Sequence, residues 1–106
     1  MNTLGFTAIT SSGRAYDFDF PLHPQTRSPE GVSDLLTALL ESVSRTVEGR
    51  GDISDGDVFQ ALAMTLAIRA RMVNADPKGT QALMEELFSS ACGATRQAES
   101  YTAGRA

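Results

Sequence analysis

Apolar and polar positions alternate in the first part of the chain. Two runs of this alternation lie between residues 3 and 20, one on each side of residues 11–14. The apolar positions are Leu4, Phe6 and Ala8 in the first run and Tyr16, Phe18 and Phe20 in the second. A period of two is typical of strands with one buried face, and Gly13 allows a tight turn between the runs. The pattern therefore predicts a β-hairpin over residues 3–20.

The apolar spacing changes to that of a helix after a linker at residues 21–28. Ser28 is a favourable helix cap, and Pro29 occupies the first helical position, where proline is favoured. Apolar residues then recur on one side of a helical wheel until two glycines at positions 49 and 51. We therefore predict a first helix over about residues 29–48, with one buried face.

Two further helices are predicted over about residues 54–74 and 76–98. The second helix begins with acidic residues and ends with arginines, as the helix dipole favours. Its apolar positions form two separate arcs. The second arc contains Ala61, Met64, Ile68 and Met72. A helix that is apolar on two sides is expected to be buried on both.

These elements predict an α+β fold that is mostly helical, with an N-terminal β-hairpin followed by three antiparallel α-helices. The length of 106 residues fits a single domain over residues 1–106. The helical pattern weakens after Gly93, and residues 99–106 are predicted to be a frayed tail.

Charge and cysteine content narrow the classes of function. The net charge of −4 disfavours binding to nucleic acid or to an anionic membrane surface, because both require clustered cations. No stretch approaches the roughly 20 apolar residues of a membrane span, and no secretory signal is evident. Cys92 is the only cysteine, so no internal disulfide is expected. We therefore expect a cytoplasmic protein that binds neither nucleic acid nor membrane.

Residues 52–57 contain three aspartates and invite comparison with a calcium-binding loop. An EF-hand loop beginning at Asp52 needs glycine at its sixth position and glutamate at its twelfth. Asp57 and Ala63 stand there instead. The acids are therefore expected to favour the start of the second helix, and no metal-binding residue or cofactor is predicted.

His23 is the only histidine and the main candidate for catalysis. A histidine base needs an orienting partner, which Asp17 or Asp19 would supply if the linker folded back. Cys92 has no spacing relation to this histidine and is expected to be a packing residue. We therefore expect a protein that is not an enzyme, and we assign no catalytic or cofactor-binding residue.

The remaining expectation is a protein that acts by protein–protein interaction, first with its own copy as a homodimer. A lone hairpin leaves open strand edges, and the second helix has an apolar face to spare. A different, unidentified protein partner is compatible with the same features. Two alternatives stay open. One is a binding module for a small apolar ligand between helices, and the other is a small enzyme using His23 with Asp17 or Asp19.

Overall fold

A computed structural model describes residues 2–102 of the chain. The fold is α+β and mostly helical, with an N-terminal hairpin followed by three helices, which confirms the predicted fold class. A short strand after the last helix adds a third member to the sheet. The elements are β1 (Thr3–Ile9), β2 (Arg14–Pro21), α1 (Pro29–Arg50), α2 (Asp55–Met72), α3 (Pro77–Arg96) and β3 (Glu99–Thr102).

β1 and β2 form the predicted hairpin. The pairing places Leu4 opposite Phe20 and Phe6 opposite Phe18, so the alternating apolar residues share one face of the sheet. Gly13 lies in the turn with a φ of 87°, a conformation that favours glycine. Along β2 the Phe18 ring stacks on its aromatic neighbours, with centroid distances of 6.2 Å to Tyr16 and 5.5 Å to Phe20. The hairpin thus carries an aromatic stripe on one face.

β3 corrects the prediction of a frayed tail, which is wrong for residues 99–102. This strand pairs antiparallel with β2, and Tyr101 lies opposite Ala15. Two side-chain hydrogen bonds accompany the pairing, from Arg14 Nη2 to Ser100 Oγ at 2.8 Å and from Tyr101 Oη to Asp17 Oδ1 at 3.3 Å. A strand of four residues is too short for alternation to reveal it, and its partner lies far back in the chain. Residues 103–106 of the predicted tail lie outside the described residues.

Side-chain caps begin the helices, and one of them is the predicted cap Ser28. Ser28 Oγ accepts a hydrogen bond from the Gly31 N–H at 2.9 Å, and Asp76 Oδ2 accepts one from the Gly79 N–H at the same distance. α2 begins with a capping box in which Ser54 and Asp57 bond each other's backbone N–H. Each cap satisfies a backbone donor that a helix start leaves free.

The helix ends differ from the prediction by about a turn or less. α1 continues past Gly49 to Arg50, because the left-handed residue that ends it is Gly51, at a φ of 76°. α2 ends earlier than predicted because Val73 is extended, with a φ of −79° and a ψ of 145°. α3 ends at Arg96, which leaves the next residues free to lead into β3.

Close backbone contacts group the described residues into two units. The first unit comprises residues 2–33 and 85–102 and contains the whole sheet. The second comprises residues 34–84 and contains α2, most of α1 and the start of α3. The single domain over residues 1–106 stays a prediction.

Candidate functional site

The apolar sides of the three helices are exposed to solvent within this chain. None of the described residues of α1, α2 or α3 is buried. On α1, Leu35 keeps 65% and Leu39 keeps 50% of its surface exposed. The sequence predicted that one side of α1 would be buried, and within a single chain this prediction is wrong. The amphipathic pattern is present, but α2, which lies in the same unit, covers it only in part.

α2 is exposed on both of its apolar sides. Phe59 on the first side is 69% exposed, and Ile68 and Met72 on the second side are 61% and 68% exposed. Two sides of this helix were predicted to be buried, and within a single chain neither is. We refer to the exposed apolar sides of α1, α2 and α3 as the exposed helix faces. Large exposed apolar patches of this kind mark surfaces that bind a partner.

An apolar groove lies between α1 and α2, within the unit formed by residues 34–84. Its volume is about 420 Å³, which falls within the roughly 300–1,000 Å³ of small-molecule sites. The side chains along it are mainly aliphatic, with a few hydroxyl groups and one carboxylate. Leu39, Val43 and Val47 lie on the α1 side, and Val58, Ala61, Leu62 and Thr65 lie on the α2 side. The open form of the groove would admit a side chain of a partner protein or an apolar ligand.

β1 forms an open edge of the sheet. The strand order is β1-β2-β3, so β1 has a hydrogen-bonded neighbour on one side only. The side chains of β1 carry no charge, and the strand contains no proline. Edge strands in stable monomers usually carry charges, proline or a bulge that prevent pairing with another strand. This edge has none of these features and remains open to pairing.

His23 contacts Glu86, which is neither of the two aspartates considered as its orienting partner. Its Nε2 lies 3.6 Å from Glu86 Oε2, and its Nδ1 accepts a hydrogen bond from the Gln25 N–H at 3.1 Å. Asp17 instead accepts hydrogen bonds from Thr7 and Tyr101. Glu86 has no signal in the sequence, because no local spacing links an acid on α3 to a histidine in the linker.

The acids of the sheet lie beside a small concavity within the first unit. It has a volume of about 280 Å³ and is lined by Asp17, Asp19, Ala94, Gln97, Ala98 and Glu99. On the neighbouring strand β3, partial loss of hydration raises the pKa of Tyr101, and the Asp17 carboxylate raises it further. Within residues 2–102, no three His, Cys, Asp or Glu side chains are grouped so that they could hold a metal ion.

The other residues considered in the sequence analysis lie apart from these features. Cys92 is a half-buried free thiol. Asp52 pairs with Arg50 through two hydrogen bonds of 3.0 and 3.1 Å. These bonds hold the pKa of the Asp52 carboxyl below its usual range. Both side chains are more than half exposed, so the pair stabilises a surface turn and does not form part of a binding or catalytic site.

Comparison with family models, curated proteins and solved structures finds no match to this chain. No helix within residues 2–102 combines the length and the apolar character needed to cross a membrane.

Proposed function

We propose that this chain acts by binding protein through its exposed helix faces, and that its first partner is a second copy of itself. The observation that carries the proposal is that three amphipathic helices contain no buried residue. Covering apolar surface contributes about 25 cal/mol per Å², so covering these faces favours association against the entropy cost of binding. A free Cys92 thiol is consistent with a reducing compartment, and we propose the cytoplasm.

The charges of α2 favour a second copy as the partner. Asp55 and Asp57 lie in its first turn, and Arg69 and Arg71 lie in its last turn. When two copies of α2 pair antiparallel, the acidic end of each helix lies beside the basic end of the other. A two-fold axis perpendicular to α2 creates this arrangement, because the same patch then meets itself in the opposite direction. The helix dipoles also oppose each other in this orientation.

The homodimer is tested by light scattering after size exclusion. We expect a mass of about twice the 11.3 kDa of one chain at micromolar concentration. A mass near that of one chain contradicts the proposal.

A matched pair of variants tests the role of α2. Ile68→Glu places a charge on an exposed apolar side of the helix. Ala67→Glu places the same charge on the narrow strip of Gln60, Ala67 and Arg71 that separates the two apolar arcs, where Ala67 is exposed. We expect Ile68→Glu to weaken association and Ala67→Glu to leave it unchanged, with both variants remaining helical by circular dichroism. Equal association of the two variants contradicts a role for this side of α2.

The groove between α1 and α2 favours a second candidate function, the binding of a small apolar ligand. Ala61 lines this groove, so Ala61→Trp is expected to fill it, whereas Ala67→Trp lies outside the lining. Titration with laurate in a calorimeter distinguishes the candidates. Saturable binding of about one laurate per chain that is lost in Ala61→Trp and kept in Ala67→Trp supports a ligand site. Absence of binding to the unmodified protein contradicts it.

A further inference from the structure

We propose that β1 pairs antiparallel with β1 of a second copy, around a two-fold axis next to Phe6, so that two three-stranded sheets join into one of six strands. This inference rests on the proposed self-association and identifies one interface that forms it. It is independent of the helix faces, because β1 and its neighbours lie wholly within the unit formed by residues 2–33 and 85–102.

The hydrogen bonds of the hairpin show which backbone groups of β1 are free. The Leu22 N–H donates to the Asn2 carbonyl at 2.9 Å, and the Thr10 N–H donates to the Arg14 carbonyl at 2.8 Å. Asn2 and Thr10 therefore lie at positions whose backbone bonds to β2. In an antiparallel pair, hydrogen-bonded positions alternate along the strand with positions that do not bond to the partner strand. The even-numbered residues of β1 bond to β2. The odd-numbered residues, Thr3, Gly5, Thr7 and Ile9, direct their N–H and carbonyl groups to the open edge.

Two copies of β1 match in a register centred on Phe6. In this register Thr3 lies opposite Ile9 of the other copy, and Gly5 lies opposite Thr7, so every free position meets another free position. Each such pair exchanges two backbone hydrogen bonds, about eight in all. All seven residues of the strand take part. A register centred on Gly5 or Thr7 instead leaves residues at one end of each strand without a partner.

The same register places the apolar side chains of both copies on the same face of the joined sheet. Leu4 of one copy lies opposite Ala8 of the other, and the two Phe6 side chains meet at the axis. Both pairs fall on the face that carries the aromatic stripe of β2, so the apolar surface continues from one sheet into the other. Phe6 occupies a position without backbone bonds to the other copy, where facing side chains approach most closely.

The composition of β1 favours a second copy over an unrelated strand. No charge on β1 selects a partner of opposite charge, and no proline or bulge blocks pairing. Leu4 and Ala8 lie at equal distances on either side of Phe6, so the apolar face of the strand is complementary to itself. Gly5 offers no side chain at the edge, and a Cβ added there meets no atom within 4 Å.

Two variants at Gly5 test the edge. Gly5→Pro removes an N–H that points to the open edge and leaves the bonds between β1 and β2 in place, while Gly5→Ala retains that N–H. We expect Gly5→Pro to raise the dissociation constant of self-association at least ~10-fold relative to Gly5→Ala, because two symmetry-related hydrogen bonds are lost. Equal dissociation constants for the two variants overturn the proposal while leaving self-association in place.

Disulfide formation tests the register directly, in chains where Cys92→Ser removes the natural thiol. Two Phe6→Cys residues lie at the axis with Cα atoms about 4.5 Å apart, within reach of a disulfide. Two Ala8→Cys residues lie four positions apart along the strands, about 13 Å. We expect mild oxidation to give a covalent dimer from Phe6→Cys and none from Ala8→Cys. Equal yields, or no covalent dimer from a folded Phe6→Cys protein, overturn the register.

The outcomes separate the two proposals. If the unmodified protein has the mass of one chain, self-association fails and the β1 interface fails with it. If the unmodified protein is a dimer but the Gly5 and cysteine variants behave alike, only the β1 interface fails. If Phe6→Cys does not fold by circular dichroism, the comparison of Gly5→Pro with Gly5→Ala decides the proposal alone.

Discussion

Individual side chains in this protein act mainly on their local backbone. Ser28, Ser54 and Asp76 cap helices, and Gly13 and Gly51 supply the positive φ that the hairpin turn and the end of α1 require. These roles depend on near neighbours in the sequence. They explain why helix starts were predicted correctly, whereas the partner of His23 was not.

The pairing of Arg50 with Asp52 leads to a prediction at the residue scale. Hydrogen bonds from the guanidinium hold the pKa of the Asp52 carboxyl below its usual range, so its titration midpoint should lie below the roughly 3.9 of an unperturbed aspartate. Carbon-detected NMR follows this titration, and Arg50→Gln should raise the midpoint. Identical midpoints in the two proteins would show that the pair does not persist in solution.

The sign of the linked stability follows from the lowered pKa. The folded state holds the Asp52 carboxylate more firmly than the unfolded state, so the pair stabilises the fold above the unfolded pKa. This contribution disappears as the pH falls through the folded pKa. Both side chains are more than half exposed, so the contribution is small.

At the scale of elements, the capping box of α2 gives a second prediction. Ser54 Oγ accepts a hydrogen bond from the Asp57 N–H at 3.1 Å, and Ser54→Ala removes it. We expect the free energy of unfolding, measured by urea titration, to fall by about 1 kcal/mol. Ser44→Ala is the matched control, because Ser44 lies exposed in the middle of α1. A fall of the same size in both variants would argue against a specific role for the cap.

Helices and strands differ in how far the sequence could predict them. The helical pattern located α1, α2 and α3 because a helix forms its backbone hydrogen bonds within one segment. β3 obtains its bonds from β2, and only the folded chain brings these segments together. A strand of four residues is too short for its sequence pattern to predict which strand it pairs with.

At the scale of the whole molecule, the proposed self-association predicts a link between stability and protein concentration. When folding covers these faces only in a dimer, binding between copies stabilises the folded state by mass action. We expect the apparent Tm to rise by several degrees for each tenfold increase in protein concentration, measured by differential scanning calorimetry. An apparent Tm that stays constant over about a hundredfold range in concentration would contradict this coupling.

The sequence by itself determined the order of the elements, their approximate ends and the apolar sides of each helix and strand. These properties follow from local backbone preferences and from periods of about two and 3.6 residues. The tertiary structure decided that β3 joins the sheet, that His23 meets Glu86 and that the helix sides stay uncovered within one chain. A periodic apolar pattern shows which side of a helix is apolar, but it does not show which surface packs against that side.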